Sequence, residues 1–491
     1  MTQPRERGEI RFLKGEGRYL ANQPAEDAAE TVFLRSPVAH GRLKRCDVEA
    51  AKAMPGVLGV ITSTDVTNAG LKPLPCTADL ATDERWSAFT PPRPLLASER
   101  VRHVGEPVAM IIAETIDQAK DAADMIDLSI DPLPVLADPA LAALPDAAKI
   151  WPDRDGNLAL NWEAGDRGAV AQAFAKAAHV TRLKLINNRL AMAPLETRSA
   201  LAAYDPNSKR YSLQTPTQGV HRIRKIMAGL LRVAEDRLLV VTDDVGGAFG
   251  LKGMAFPEQA LLLFAAKRLG RPVRWIGDRS EAFISDNAGR DHVTEIALAL
   301  DGDHRMMALS VDTIANMGAY LSTFALNMPT LVYGRVMGGA YAIPSIHMQS
   351  RSVFTNTPPV DAYRGAGVPE AIYALERVID VAARELDADP IMLRRLNFLR
   401  PEHFPWPTPT GYAIDSGDFG GALDQALDFS DWRGFEKRRQ NSKKPRPSPW
   451  LGVGCLYPWN RRQQQGDGAG CGERGWQGRR HKRNPIRRPG A

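Results

Sequence analysis

Two glycine-rich runs hold the residues best suited to chemistry. The first is Asp243-Asp244-Val245-Gly246-Gly247-Ala248-Phe249-Gly250, and the second is Asp361-Ala362-Tyr363-Arg364-Gly365-Ala366-Gly367-Val368-Pro369-Glu370. Glycine lets a backbone approach a ligand closely, and the N–H groups of such turns and of helix N-termini bind anions. The second run also places Arg364, a fork of donors suited to oxyanions, just before a helix N-terminus. Two loops of this kind, more than a hundred residues apart, point to one polyanionic ligand held from two sides. Taken alone, the first run fits a tight strand-to-helix turn with no ligand equally well.

Common nucleotide motifs do not explain it. A dinucleotide fingerprint needs glycines at relative positions one, three and six, whereas they stand here at 246, 247, 250 and 253. Lys252 is followed by Gly253 rather than Ser or Thr, which excludes a Walker-type loop.

The elements that must position these runs are legible. Leu238 to Val241 is a short apolar run, as in a strand buried on both faces. Met254 to Leu269 is apolar nearly all round, with Pro257 in its first turn and Gly270 just past its end, as in a buried helix. Val220 to Leu231 predicts the helix that leads to the first loop. Ile372, Leu375, Ile379, Ala382 and Leu386 form one face of the helix behind the second. Asp301-Gly302, between alternating runs, predicts a hairpin. Before them, residues 1–145 alternate short strands and helices, among them Thr31–Leu34, Val57–Thr62, Val104–Ile112 and a Thr115-capped helix to Asp124. His103 and Glu106 read there as structural. An Ala-, Pro- and Asp-rich linker is expected over 146–179, with the helix Ala169–Ala178 connecting domains, and a second region from 180 to 440.

Composition bounds the function. The 491 residues can hold two or more domains, and 44% apolar with 24% charged residues is ordinary for a soluble protein. Neither a membrane-length apolar run nor a signal peptide is present, so the default expectation is cytoplasmic. The net charge of +6 is misleading, because residues 441–491 carry +10 and the rest carries −4. The body therefore gives no reason to expect nucleic acid or membrane partners. Four cysteines make no C-x-x-C and nine histidines make no H-x-x-x-H, so no residue is assigned to a metal. The segment 441–491 is rich in Arg, Gly and Pro and contains Trp450, Trp459 and Trp476, with Leu451–Gly454 its last strand-like stretch. It reads either as a disordered basic tail or as an out-of-frame translation, and its tryptophans favour the second.

Six motifs in order resemble one family. They are Ser36-Pro37-x-Ala39-His40, Gly105-Glu106-Pro107-Val108-Ala109, Pro194-Leu195-Glu196-x-Arg198, Thr217-Gln218, the first loop through Lys252, and Ala362 to Gly367. Together they are similar to the molybdopterin-binding large subunit of xanthine dehydrogenases, aldehyde oxidases and carbon monoxide dehydrogenases, over about residues 10–430. The resemblance implies an α/β (α+β) fold: an a/b hammerhead-type domain, then a first molybdenum-cofactor-binding domain. The family's second cofactor-binding domain has no counterpart here. It implies that Gln218 hydrogen-bonds an oxygen on molybdenum, that Gly247, Ala248, Phe249 and Gly250 meet the pterin cofactor, and that Arg364 lies beside the metal. The cofactor would be molybdenum–molybdopterin, in its cytosine dinucleotide or another form, with iron–sulfur clusters and FAD on partner subunits.

The departures narrow the chemistry that the resemblance implies. Copper-type carbon monoxide enzymes carry a cysteine where this chain has Gly365. Purine oxidases place a phenylalanine and a glutamate where it has Ala366 and Gly253. An aldehyde or an aromatic heterocycle, oxidised with water as oxygen source, is the remaining substrate expectation. The family's late glutamate base has no counterpart, so no catalytic residue is assigned and the chain is expected to be truncated and inactive alone. The alternative is a non-catalytic remnant that still binds the partner subunits.

Overall fold

The strand Pro107–Ala113 has no polar side chain and is buried along its whole length, so both of its faces must be covered. Its alternate side chains enter different cores. Met110 and Ile112 meet Ile223, Met227, Leu261 and Ala265, whereas Ala109 and Ile111 meet Ala119 and Ala122. The computed structural model, which describes residues 10–81, 83–441 and 452–455, sets this strand in a seven-stranded sheet.

Two large sheets are built from β1 (Ala29–Arg35), β2 (Val57–Ile61), β3 (Pro107–Ala113), β4 (Leu158–Gly165), β5 (His179–Asn187), β6 (Ser199–Asp205), β7 (Arg210–Gln214), β8 (Leu238–Val241), β9 (Val273–Ile276), β10 (His292–Leu300), β11 (Met306–Gly318) and β12 (Ser345–Phe354). The first runs β8-β7-β6-β9-β1-β3-β2 and the second β4-β12-β11-β10-β5. They are covered by α1 (Ile116–Asp124), α2 (Arg167–Lys176), α3 (Val220–Leu231), α4 (Pro257–Leu269), α5 (Arg279–Ser285) and α6 (Val368–Glu385). Helices α3 and α4 lie on one face of the first sheet and α1 on the other. The buried face of α6, with Leu375, Ile379 and Ala382, packs on Leu298, Leu309 and Ile346 of the second.

Local chemistry sets the ends. Thr115 and Gln118 cap α1 reciprocally, each side chain accepting the other's backbone N–H. Helix α4 starts at Pro257 and stops at Gly270, whose left-handed φ of +68° costs glycine least. The Asp301 carboxylate accepts the N–H groups of Asp303 and Arg305, closing the hairpin between β10 and β11.

Three expectations are corrected. Strand β8 is the edge of its sheet, with Leu239 and Val241 exposed, because an apolar run does not reveal how many faces are covered. The span expected as a linker contains β4, which pairs with β12, and α2, whose Val170 packs on Ala299 and Ala308; α2 covers a sheet rather than bridging domains. Residues 452–455 form no strand, although Val453 and Cys455 lie against the core of the second sheet. The rest of the 441–491 segment lies outside the described residues, apart from Asn441 at a helix end. The strands of the first region also share a sheet with the second, since β1 pairs in parallel with β9.

Candidate functional site

The two glycine loops lie directly on one another. Gly250 has φ +108°, and a Cβ built there would stand 2.1 Å from the Ala362 carbonyl oxygen. Beside this contact the Arg364 N–H donates to the Phe249 carbonyl at 2.8 Å. Phe249 itself has φ +50°, uncommon for an aromatic residue, and the residue stays 37% exposed. Gln218 joins them from the turn between β7 and α3. Its N–H donates to the Lys252 carbonyl at 3.0 Å, and its Oε1 accepts from the Gly250 N–H at 3.1 Å. Gln218, Gly247, Ala248, Phe249, Gly250 and Arg364 therefore converge on one surface.

Buried ion pairs support each loop from behind. Glu196 accepts from the Gly246 N–H at 2.7 Å and from Lys252 Nζ at 2.8 Å. Burial lowers the Lys252 pKa, and Glu196 opposes that shift. At the outer side of this loop Asp244 accepts from Arg11, which holds its carboxyl down at about 2. Under the second loop, buried Arg290 donates to Glu370 at 2.9 Å and to the Arg364 carbonyl at 2.8 Å. Replacing Arg290 by Gln strands a buried carboxylate, and we expect a loss of about 3 kcal/mol in urea melts. The double variant R290Q/E370Q removes that charge and should recover part of the loss.

What the surface offers is donors. Among the described residues, the N–H groups of Gly247, Ala248 and Phe249, the Gln218 Nε2 amide and the Arg364 guanidinium have no protein acceptor. Consecutive backbone donors with one guanidinium suit an oxyanion or a metal-bearing phosphate group. The carboxylates of the loops are already tied: Glu196 to Lys252, Asp243 to Gln214, Asp361 to the Phe324 N–H, and Glu370 to Arg290. No His, Cys, Asp and Glu group with metal-ligand geometry occurs among the described residues.

Behind this surface lies a cluster that sequence reasoning missed. Glu258, at the start of α4, takes Arg198 at 2.8 Å and Arg35 at 2.7 Å, with Asp286 on Arg198 and Glu281 on Arg35. The Arg198 guanidinium also lies 3.8 Å from the Phe256 ring centre. Glu106 is structural in the sense expected, with partners the sequence did not show: it accepts from Tyr320 Oη at 2.5 Å and from the Arg102 N–H at 2.6 Å. Burial pushes its carboxyl up. His103 is buried and bonds the Val104 carbonyl.

The description "Molybdopterin cofactor-binding domain" matches residues 150–398, which include both loops and Gln218. The chain belongs to the molybdopterin-binding family of xanthine dehydrogenases, aldehyde oxidases and carbon monoxide dehydrogenases. Within that family its residues 14–134 match "Aldehyde oxidase and xanthine dehydrogenase, a/b hammerhead domain". Relatives in the family include the carbon monoxide dehydrogenase large chain of Hydrogenophaga pseudoflava, 32% identical across 91% of this chain and 56% of that protein. Another is the nicotine 6-hydroxylase large subunit of Paenarthrobacter nicotinovorans, 32% identical across 91% of this chain and 53% of that protein. Quinoline 2-oxidoreductase from Pseudomonas putida 86 superposes with a TM-score of 0.83 at 33% identity, covering 89% of this chain and 55% of the other. The chain thus spans about half the length of the family members it matches, and its hammerhead and cofactor-binding folds are those of the family.

Proposed function

We propose that this chain supplies one wall of a molybdenum–pterin site in an oxidoreductase acting on an aldehyde or an aromatic heterocycle, with water as oxygen source. The observation that carries the reading is the row of N–H donors at Gly247, Ala248 and Phe249, unpaired among the described residues, on a loop that bonds Gln218 at Gly250 and the Arg364 N–H at Phe249. When bound, the group supplies the two-electron redox centre. The chain's own residues do the rest of what is described: backbone donors fix the ligand's oxygens, Gln218 orients one of them, and Arg364 balances negative charge. In this reading the pterin is carried as its cytosine dinucleotide, with iron–sulfur and FAD subunits as electron partners and a cytoplasmic setting that suits the free Cys46 and Cys76. No described helix is long and apolar enough to cross a membrane.

The loop carboxylates are engaged by cations, an amide or backbone N–H groups, with only Glu196 Oε1 left without a partner, and we propose that the chain alone is nearly inactive. Base loss costs about two to four orders of magnitude in rate. Molybdenum and pterin analysis of the purified chain is expected to find cofactor that R364Q and Q218A each reduce about tenfold. Dye-linked turnover on aldehydes should stay near background. Preparations with neither metal nor pterin would overturn the cofactor reading, and full turnover would overturn the inactivity.

A further inference from the structure

A cavity of about 430 Å³ lies between α3 and the segment 72–77. Ile226, Leu230 and Pro73 give it an apolar floor, Lys72, Arg222 and Lys225 stand along it, and none of its lining residues is acidic. Lys72 and Lys225 are exposed and have no carboxylate partner among the described residues. Arg222 is held in place, with its guanidinium 4.5 Å from the Phe324 ring centre and Nη1 on the Gly253 carbonyl at 3.4 Å.

Gly253 is buried behind the cavity wall, next to Arg222, which lines the cavity, and next to Gln218 of the site. A Cβ built on it would lie 3.6 Å from Gln218 Oε1 and 4.0 Å from Arg222 Nη1. A side chain at 253 would therefore start within 4.0 Å of both residues. Lys225 is six residues past Gly219, the N-cap that follows Gln218, about 9 Å along the helix axis, which is the length of a bicyclic aromatic acid.

Resting on the functional reading above, we propose that the cavity binds the substrate and selects an aromatic heterocycle that carries a carboxylate. Lys72 and Lys225 take the carboxylate, Ile226 and Leu230 take the ring, and Arg222 stacks on the ring face with the far end toward Gln218. A cationic wall of this kind rejects cationic analogues and gains little from neutral ones.

The test is calorimetric titration of the purified chain with 2-naphthoate and with 2-naphthamide, its uncharged analogue. Naphthoate is expected to bind about tenfold more tightly, and the preference should shrink with added salt. K72E/K225E should abolish it. So should G253E, whose Cβ meets no atom closer than 3.6 Å and which sets a carboxylate next to Gln218 and Arg222. Thermal melts monitor folding of each variant. Equal affinity for the two ligands, or a preference that survives both folded variants, overturns the proposal. Pterin content measured on the same preparation separates the two readings. Naphthoate preference without retained pterin leaves the anion site standing and removes the functional reading, whereas retained pterin without preference does the reverse.

Discussion

Gly250→Ala is expected to cost about 4 kcal/mol and to abolish pterin retention, the largest single effect on the site. Two independent penalties add. A β-carbon at φ +108° is strained by itself, and this one would overlap the Ala362 carbonyl at 2.1 Å. Neither can relax without separating the loops, because the Arg364 N–H to Phe249 carbonyl bond and the Gly250 N–H to Gln218 bond flank the contact. Moving them apart misplaces Phe249, Arg364 and Gln218 together. Gly253→Ala is the control, since it meets no atom closer than 3.6 Å and should change stability by well under 1 kcal/mol. Denaturant melts and pterin analysis of the two variants check the contrast.

Glu258→Gln is expected to cost about 3 to 5 kcal/mol, because it leaves Arg35 and Arg198 buried without their shared counter-ion. Burial alone would push the Glu258 carboxyl up, but attraction to Arg198 and Arg35 outweighs it, and the group titrates well below the ordinary carboxylate range. The sign of the pH dependence follows. The folded pKa lies beneath the unfolded value of about 4.3, so the contribution is complete above about pH 5 and is lost as pH falls toward the folded value. Glu281 runs the other way, raised by burial first, and offsets part of the effect. The gap in stability between the native chain and E258Q should therefore narrow from pH 5 to pH 3. A gap independent of pH would contradict the charge account.

The loops were legible because their glycines mark backbone conformations that few residues adopt, and because Arg364 and Gln218 sit in motifs rather than singly. Helices α1, α3 and α4 were legible from caps and apolar period. The ion cluster was not, because Arg35, Arg198, Glu258, Glu281 and Asp286 are scattered along the chain and meet only in the fold. A signal was present in Glu258, a carboxylate at the start of a helix apolar on every side, where an exposed acid is unexpected. Strand β4 escaped notice for a related reason: its partner, β12, lies far along the chain and leaves no local trace.

The parallel pairing of β1 with β9 has a consequence for biosynthesis. Ala29 finds its neighbour in Val273, so an emerging polypeptide holds its first strand without one partner until that residue has left the ribosome. Long-range closure of this kind is slow, and the waiting strand edge is open to other chains. Translation that stalls before residue 273 should release insoluble product, whereas a stall after the β9 strand should release material that a protease digests more slowly.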